Sequence, residues 1–187
     1  MKSIILASQS PRRKQLLEWA NVDFEVQVSN TNEDFPPELP LTEVPIFIAK
    51  AKAVAIKNLN IKSEKPIVAA DTIVVIDNEV LGKPTNRENA FEILKKLNGK
   101  KHCVITGVVV LLNDEEISFS ETTLVEFNLL SDEQLWYYID HYKPYDKAGA
   151  YAIQEWIGVV GIKCIEGDFY NVMGLPINKL YKILQVL

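Results

Sequence analysis

The chain has 187 residues, of which 48% are hydrophobic and 24% are charged, and its net charge is −5. These values are typical of a soluble globular protein, and we expect one domain over residues 1–187. The negative charge argues against a nucleic-acid partner or an anionic membrane surface, and no apolar run approaches the roughly 20 residues of a membrane helix. Because no signal peptide is visible, the expected location is the cytoplasm.

Strand and helix signals alternate along the first part of the chain. The run KSIILA predicts a short buried strand, and Ser10 and Pro11 are typical of a helix cap and a first helical position. The run RRKQLLEWA then predicts the helix, and DFEVQV alternates like a strand. A second helix is predicted over EVPIFIAKAKAVAIKN, with Thr42 as its cap and Pro45 in its first turn.

The middle of the chain predicts a strand, a helix and a hairpin. KPIVAADTIVVID is strongly strand-like, and NEVL is a candidate short partner strand. An amphipathic helix is predicted over NRENAFEILKKLNG, with Thr85 as cap and Gly99 as stop. HCVITGVVVLLN and EISFSETTLVEFNLL predict two long strands that form an antiparallel pair.

The last third predicts two helices around a strand. Ser131 is the expected cap of a helix over DEQLWYYIDHY, IGVVGIKCIEG is a candidate strand, and LPINKLYKILQVL predicts a final helix with Pro176 near its start. Helices and strands alternate, but the central hairpin excludes a purely parallel sheet. We therefore predict an α/β fold with a mixed, strongly twisted sheet flanked by helices.

Two adjacent arginines stand where the first strand leads into the first helix. A helix N-terminus offers free N–H groups and partial positive charge, and Arg12 and Arg13 add planar donors that suit phosphate oxygens. Ser8 and Ser10 supply hydroxyl groups just before the turn. The segment is a candidate triphosphate site, although no Walker-type loop occurs in the chain. The alternative is a solvated basic helix start.

Asp71 is the best candidate for a functional acid, because it lies in the middle of an apolar strand. A carboxylate there is costly unless it is paired, hydrogen-bonded or bound to a metal. A structural salt bridge is the alternative. Glu33 and Asp34 lie in a polar loop, and either would form an oxygen-rich site for Mg²⁺ or Mn²⁺ if the fold brings the loop to Asp71.

Several other polar side chains are candidates for binding a nucleotide. Lys50 and Lys52 lie about 200° apart around their predicted helix, so at most one should face a given site. Lys83 lies in a tight loop, and each lysine alone is more often solvated than a ligand. The amide of Gln154 can both donate and accept hydrogen bonds, which suits the edge of a nucleobase.

Taken together, these segments resemble the Maf family of nucleoside triphosphate pyrophosphatases over nearly the whole chain. Each motif is weak alone, but their order and spacing make a strong signal. The motifs are LASQSPRRKQLL, Glu33, AKAKA, AADTIVV, GKP, TGV, DKAGAYAIQ and EGDFYNVMGLP. The resemblance is to the branch that acts on dTTP and UTP, because Arg12, Thr72 and Gln154 match that branch at the positions tied to base choice.

The resemblance implies an activity: metal-assisted hydrolysis of a nucleoside triphosphate to the monophosphate and pyrophosphate, on a Maf/ITPase-like fold. In that reaction Asp71 would activate water and could also touch Mg²⁺ or Mn²⁺. Glu33 would be the second metal ligand, although Asn32 replaces the usual acid before it, so Asp34 stays open as the alternative.

The other implied roles concern the phosphates. Lys52 and Lys83 would stabilise negative charge, while Ser8, Arg12 and Arg13 would hold the triphosphate. Two other functions stay open, namely a nucleotide-sensing regulator of septum formation that lacks catalysis and a broader enzyme that removes modified nucleotides. A homodimer is a guess from the family, and nothing in the sequence identifies a protein partner.

Overall fold

The structure of the protein is a computed structural model, and the residues described are 3–59 and 64–187. Strands and helices alternate along the chain, as the sequence predicts. The strands are β1 (Ile4–Leu6), β2 (Phe24–Val26), β3 (Ile67–Ile76), β4 (Glu79–Leu81), β5 (Lys101–Leu112), β6 (Glu115–Phe127) and β7 (Ile162–Glu166). The helices are α1 (Pro11–Trp19), α2 (Val44–Leu59), α3 (Arg87–Leu97), α4 (Asp132–Tyr142), α5 (Trp156–Gly161), α6 (Phe169–Met173) and α7 (Ile177–Val186). Within the described ranges, no helix combines the length and the apolar character needed to cross a bilayer.

The strands form a mixed sheet in the order β2-β1-β3-β5-β6-β7, and β4 pairs with β3 beside that path. β1 runs parallel to both β2 and β3, whereas β4 is antiparallel to β3 and β7 is antiparallel to β6. β5 and β6 are neighbours joined by a two-residue turn, which makes them an antiparallel hairpin. The predicted α/β fold with a mixed sheet flanked by helices is therefore confirmed. The first residue of the predicted strand KSIILA, Lys2, lies outside the described residues.

The chain divides into two compact units, each made of separate segments. Unit 1 consists of Met1–Asp71, Thr106–Glu121 and Gly174–Leu187, and unit 2 consists of Thr72–Ile105 and Thr122–Met173. Strands β3, β5 and β6 contribute residues to both units. The expected single domain over residues 1–187 stays a prediction.

Unit 1 is built on the close approach of α2 to β5. The small side chains of Ala49 and Ala53 on α2 are fully buried in an apolar cluster that includes Val109 of β5. An ideal Cβ placed on Gly107 would lie 2.3 Å from the backbone nitrogen of Ile46 at the start of α2. Glycine at this position of β5 is therefore what lets the helix backbone come so near the strand.

Side-chain caps begin helices α1, α3 and α4, and the one in unit 2 that begins α3 corrects a prediction. Ser10 accepts the backbone N–H of Arg13 at 3.5 Å and caps α1, and Ser131 forms a capping box at the start of α4. The prediction of Thr85 as the cap of α3 is wrong, because the side chain of Asn86 accepts the N–H of Asn89 at 2.8 Å. Both residue types cap helices well, and the backbone conformation of Asn86 decides between them.

A second correction concerns the run IGVVGIKCIEG, which we expected to be a strand throughout. Its first half is helix α5, and only Ile162–Glu166 form β7. Ile157 and Gly161 are buried while Val159 is 81% exposed, which is a helical pattern of four-residue spacing. An ideal Cβ on Gly158 would lie 1.7 Å from the carbonyl oxygen of Ile153, so the chain turns too tightly there for a strand. Short apolar runs do not separate the two structures by periodicity alone.

A buried histidine in unit 2 predicts that stability falls in acid. His102 is 2% exposed, and its Nε2 lies 2.7 Å from the hydroxyl of Tyr151. Burial lowers the pKa of the His102 imidazole from 6.5 to about 4. The unfolded chain takes up a proton below pH 6.5 while the folded protein does not. The free energy of unfolding should therefore fall between pH 6.5 and 4, by up to roughly 3 kcal/mol.

Chemical denaturation across this pH range measures the effect. His102→Gln should flatten the dependence between pH 6.5 and 4. His141→Gln, which removes the exposed histidine of α4, is the matched control and should keep it. An unchanged slope in His102→Gln would assign the acid sensitivity to other groups.

Candidate active site

The first candidate cluster lies in unit 1, where β1 leads into α1. Arg13 is 9% exposed, and its Nη1 donates to the hydroxyl of Ser8 at 3.0 Å. Its Nε donates to the carbonyl oxygen of Gly174 at 2.8 Å, which ties α1 to the segment before α7. Ser8 also accepts the N–H of Ser10 at 3.3 Å. Arg13 therefore joins two distant parts of unit 1, a role that the sequence does not reveal.

The charge of Arg13 is largely removed from water, and two acids offset part of the cost of burying it. Burial lowers the pKa of the Arg13 guanidinium, whereas the carboxylate of Asp71 raises it, Arg12 lowers it and Glu33 raises it. A guanidinium keeps its proton even when buried. A permanent positive charge thus lies within the field of two acids, and the half-buried Arg12 adds a second one nearby.

The second cluster, also in unit 1, is a lysine held between two carboxylates. Lys52 Nζ lies 2.7 Å from Asp71 Oδ1 and 2.8 Å from Glu33 Oε1. The Lys52 and Asp71 side chains are 16% and 13% exposed, while that of Glu33 is 48% exposed. The Asp71 carboxylate is therefore paired with Lys52, as expected for an acid in a buried strand. Glu33 is the solvent-accessible third residue of this cluster.

Two features of α2 bring Lys52 to Asp71. Helix α2 packs closely on β5 at Gly107. Lys50 precedes Lys52 by two residues, so it lies on another side of the helix. Lys50 pairs there with Glu116 at 2.9 Å. Lys52 is therefore the one of these two lysines that contacts Asp71, and its place in the site stays a prediction.

The loop between β2 and α2 presents one acid to this cluster and holds the other locally. Glu33 contacts Lys52, whereas the carboxylate of Asp34 accepts from the side-chain amide of Asn32 at 2.6 Å. The backbone N–H of Asp34 also donates to Asn32 Oδ1 at 3.1 Å. The structure therefore favours Glu33 over Asp34 as the acid associated with Asp71.

The remaining predicted residues belong to unit 2. Thr72 follows Asp71 directly in β3 and is half-buried, while Lys83 and Gln154 are exposed. The six residues Ser8, Arg12, Arg13, Glu33, Lys52 and Asp71 form the unit 1 part of the candidate site. The roles of all nine residues stay predictions.

Two carboxylates that contact the same ammonium nitrogen are also a fitting pair for a divalent cation. Glu33, in the loop before α2, and Asp71, in β3, both supply the hard oxygen atoms that Mg²⁺ prefers. In proteins Mg²⁺ commonly uses one or two carboxylates together with phosphate and water oxygens. In residues 3–59 and 64–187, no three His, Cys, Asp or Glu side chains group as a metal site. The residues present fit a cation that is bound jointly with phosphate.

Sequence reasoning missed a buried polar group in unit 2. Lys147 is 7% exposed, and its Nζ lies 2.7 Å from Asp146 Oδ1 and 3.5 Å from Glu155 Oε1. Glu155 also accepts from the hydroxyl of the fully buried Tyr138. The one available signal was a lysine among small residues in DKAGAY, since lysine is rarely buried unless it is paired.

The comparisons with known proteins agree with these motifs. A family described as Maf-like protein matches residues 3–187. The chain belongs to the Maf family. A relative from Cytophaga hutchinsonii is 50% identical over 97% of this chain and 83% of its own, and one from Parabacteroides distasonis is 48% identical over 97% and 94%. Both relatives carry the name dTTP/UTP pyrophosphatase, as does one from Bacteroides thetaiotaomicron at 48% identity over 98% and 95%.

A solved structure is also similar to this Maf protein, but only weakly. The Ham1 protein of Staphylococcus aureus matches with a TM-score of 0.46 and 17% identity, over 67% of this chain and 72% of that one. At this level the match carries no weight for fold or function.

Proposed function

We propose that this Maf family protein hydrolyses dTTP and UTP to the nucleoside monophosphate and pyrophosphate. Relatives at 48–50% identity over nearly the full chain are named for that activity. The observation that carries the proposal is the group of Lys52, Glu33 and Asp71, with the buried Arg13 in the field of both acids. Positive charges held close to converging carboxylates suit the joint binding of a polyphosphate and a cation.

In the proposed reaction a water oxygen attacks the α-phosphorus and the bond to the α,β-bridging oxygen breaks. Asp71 takes the proton from that water as general base, and pyrophosphate leaves with the bridging oxygen. Lys52 and Lys83 stabilise the negative charge that develops on the departing group. Ser8, Arg12 and Arg13 bind the phosphate oxygens and hold the triphosphate in line.

Arg12, Thr72 and Gln154 are the residues proposed to select the base. The amide of Gln154 is exposed and can donate and accept at the same time, as the edge of a uracil or thymine ring requires. Thr72 follows Asp71 in β3 and supplies a half-buried hydroxyl group.

Glu33 and Asp71 are proposed to hold Mg²⁺ or Mn²⁺. A bound cation supplies charge neutralisation on the phosphate oxygens. The Lys52 ammonium lies within 2.8 Å of both carboxylates, so its positive charge competes with a cation at these ligands.

Lys52→Met should therefore bind Mn²⁺ more tightly in the absence of nucleotide, while turnover falls. The affinity should rise about tenfold or more, since removal of only ~1.4 kcal/mol of repulsion gives that factor. Titration of Mn²⁺ by its electron paramagnetic resonance signal measures the affinity without turnover. Lys50→Met, on the same helix, is the matched control. Equal Mn²⁺ affinity in the two variants would exclude Glu33 and Asp71 as the metal ligands.

A panel of triphosphates tests the proposed activity, with pyrophosphate and orthophosphate measured separately. Pyrophosphate from UTP and dTTP, lost in Asp71→Asn, is the expected result. Orthophosphate would mean cleavage of a different bond, and nucleotide binding without turnover would favour a nucleotide-sensing regulator. Faster turnover of modified triphosphates would favour a broader pool-cleaning enzyme. The homodimer and the cytoplasmic location stay predictions.

A further inference from the structure

A chain of polar contacts in unit 2 connects α4 to the segment that carries Gln154. The hydroxyl of Tyr138 donates to Glu155 Oε2 and accepts the backbone N–H of Ala152 at 3.1 Å. Tyr138 is fully buried, so this hydroxyl uses both its donor and its acceptor inside the protein. The other oxygen of the Glu155 carboxylate lies 3.5 Å from Lys147 Nζ. We name Tyr138, Glu155 and Lys147 the tyrosine network.

Gln154 lies inside the turn that this network holds. The N–H of Glu155 donates to the carbonyl oxygen of Ala152 at 3.1 Å, which closes the turn over residues 152–155. The backbone at its start and the side chain at its end both bond to the same Tyr138 hydroxyl. The turn therefore fixes the backbone of Gln154, while the exposed amide of its side chain can contact a ligand.

The other end of the network reaches the loop of Lys83. After Lys147 the chain forms a short 3₁₀ turn (Ala148–Ala150), and the N–H of Gly149 donates to the carbonyl oxygen of Gly82 at 3.2 Å. Gly149 has φ of +70°, and an ideal Cβ on it would lie 2.9 Å from the Val74 side chain. The turn therefore lies directly on β3 and bonds to the residue that precedes Lys83.

We propose that the tyrosine network is a positioning device that sets the base preference of the enzyme through Gln154 and supports the loop of Lys83. The inference rests on the proposed function, because it takes Gln154 as the group that reads the base. Burial of a lysine beside a half-buried glutamate is costly, and a gain in positional specificity is one reason to keep such a pair. The residues of the network act through Gln154 and Lys83 and do not touch substrate.

Tyr138→Phe tests the proposal, because it removes one hydroxyl and keeps the ring. The ratio of kcat/KM for UTP to that for CTP should fall about fivefold or more, since the turn that carries Gln154 loses both hydrogen bonds to the Tyr138 hydroxyl. KM for UTP should rise more than kcat falls, since Asp71 and Lys52 lie in unit 1 and keep their contacts. Tyr142→Phe is the matched control, because Tyr142 is also on α4, stacks on Tyr138 at 5.1 Å and lies outside the network.

The double variant separates this inference from the proposed function. If Gln154→Ala alone leaves the UTP to CTP ratio unchanged, the base-reading role of Gln154 is wrong. If Gln154→Ala lowers the ratio and Tyr138→Phe does not, the positioning role is overturned. The expected result is that Tyr138→Phe combined with Gln154→Ala lowers the ratio no further than Gln154→Ala alone.

A second pair of variants keeps the test decisive if Tyr138→Phe fails to fold. Lys147→Arg keeps a positive charge beside Glu155 and should retain the ratio, whereas Lys147→Met should lower it. Equal ratios in the two folded Lys147 variants would contradict a role for the network in base preference.

Discussion

Asp71→Asn is expected to lower the turnover of UTP and dTTP by about a hundredfold to ten-thousandfold, while nucleotide binding stays close to that of the unchanged protein. The amide of asparagine cannot take a proton from water at neutral pH. The change also removes one of the two carboxylates that converge on Lys52. Because Arg12, Arg13 and Ser8 are unaltered, the groups proposed to bind phosphate remain. Steady-state pyrophosphate release and equilibrium nucleotide binding measure the two effects separately.

Two neighbouring acids provide the controls for this prediction. Glu33→Gln should also reduce turnover, because Glu33 contacts Lys52, whereas Asp34→Asn should have little effect, because the contacts of Asp34 are with Asn32. Turnover near the wild-type level in Asp71→Asn would reject Asp71 as the base. If Asp34→Asn loses turnover and Glu33→Gln keeps it, Asp34 and not Glu33 is the loop acid that acts with Asp71.

Gly107→Ala is expected to destabilise the protein and to separate Lys52 from Asp71. The added methyl group would lie 2.3 Å from Ile46 N and 2.4 Å from the carbonyl carbon of Pro45, and both are backbone atoms that no side-chain rotation can move. Helix α2 must therefore shift away from β5. The free energy of unfolding should fall by about 1–3 kcal/mol or more. A displaced α2 carries Lys52 with it, so turnover should fall in the protein that remains folded.

Thermal melting and pyrophosphate release on the folded fraction measure both consequences. Gly82→Ala is the control for stability, because no atom lies within 4 Å of an ideal Cβ on Gly82. Its melting temperature should match that of the unchanged protein. A melting temperature and a turnover in Gly107→Ala that equal those of the wild type would contradict both the displacement of α2 and its effect on Lys52.

The sequence by itself determined the features that depend on neighbouring residues. Ser10 and Ser131 cap their helices because the groups they bond lie three residues away, and the hairpin of β5 and β6 follows from two long strand-like runs and a short turn. The same local logic was ambiguous where two good signals competed. Asn86 caps α3 in place of Thr85. Helix α5 lies in a short apolar run whose pattern fits a helix and a strand equally well.

The family and the unusual position of Asp71 were also apparent from the sequence, since an acid within an apolar strand is costly wherever the chain goes. Only the tertiary structure decided which residues contact one another around Asp71. Glu33 reaches Lys52 across 19 residues of sequence, and Arg13 bonds to a carbonyl group 161 residues away. Such contacts depend on how closely α2 packs on β5 and how the last segment returns to α1, and no periodicity in the sequence encodes them.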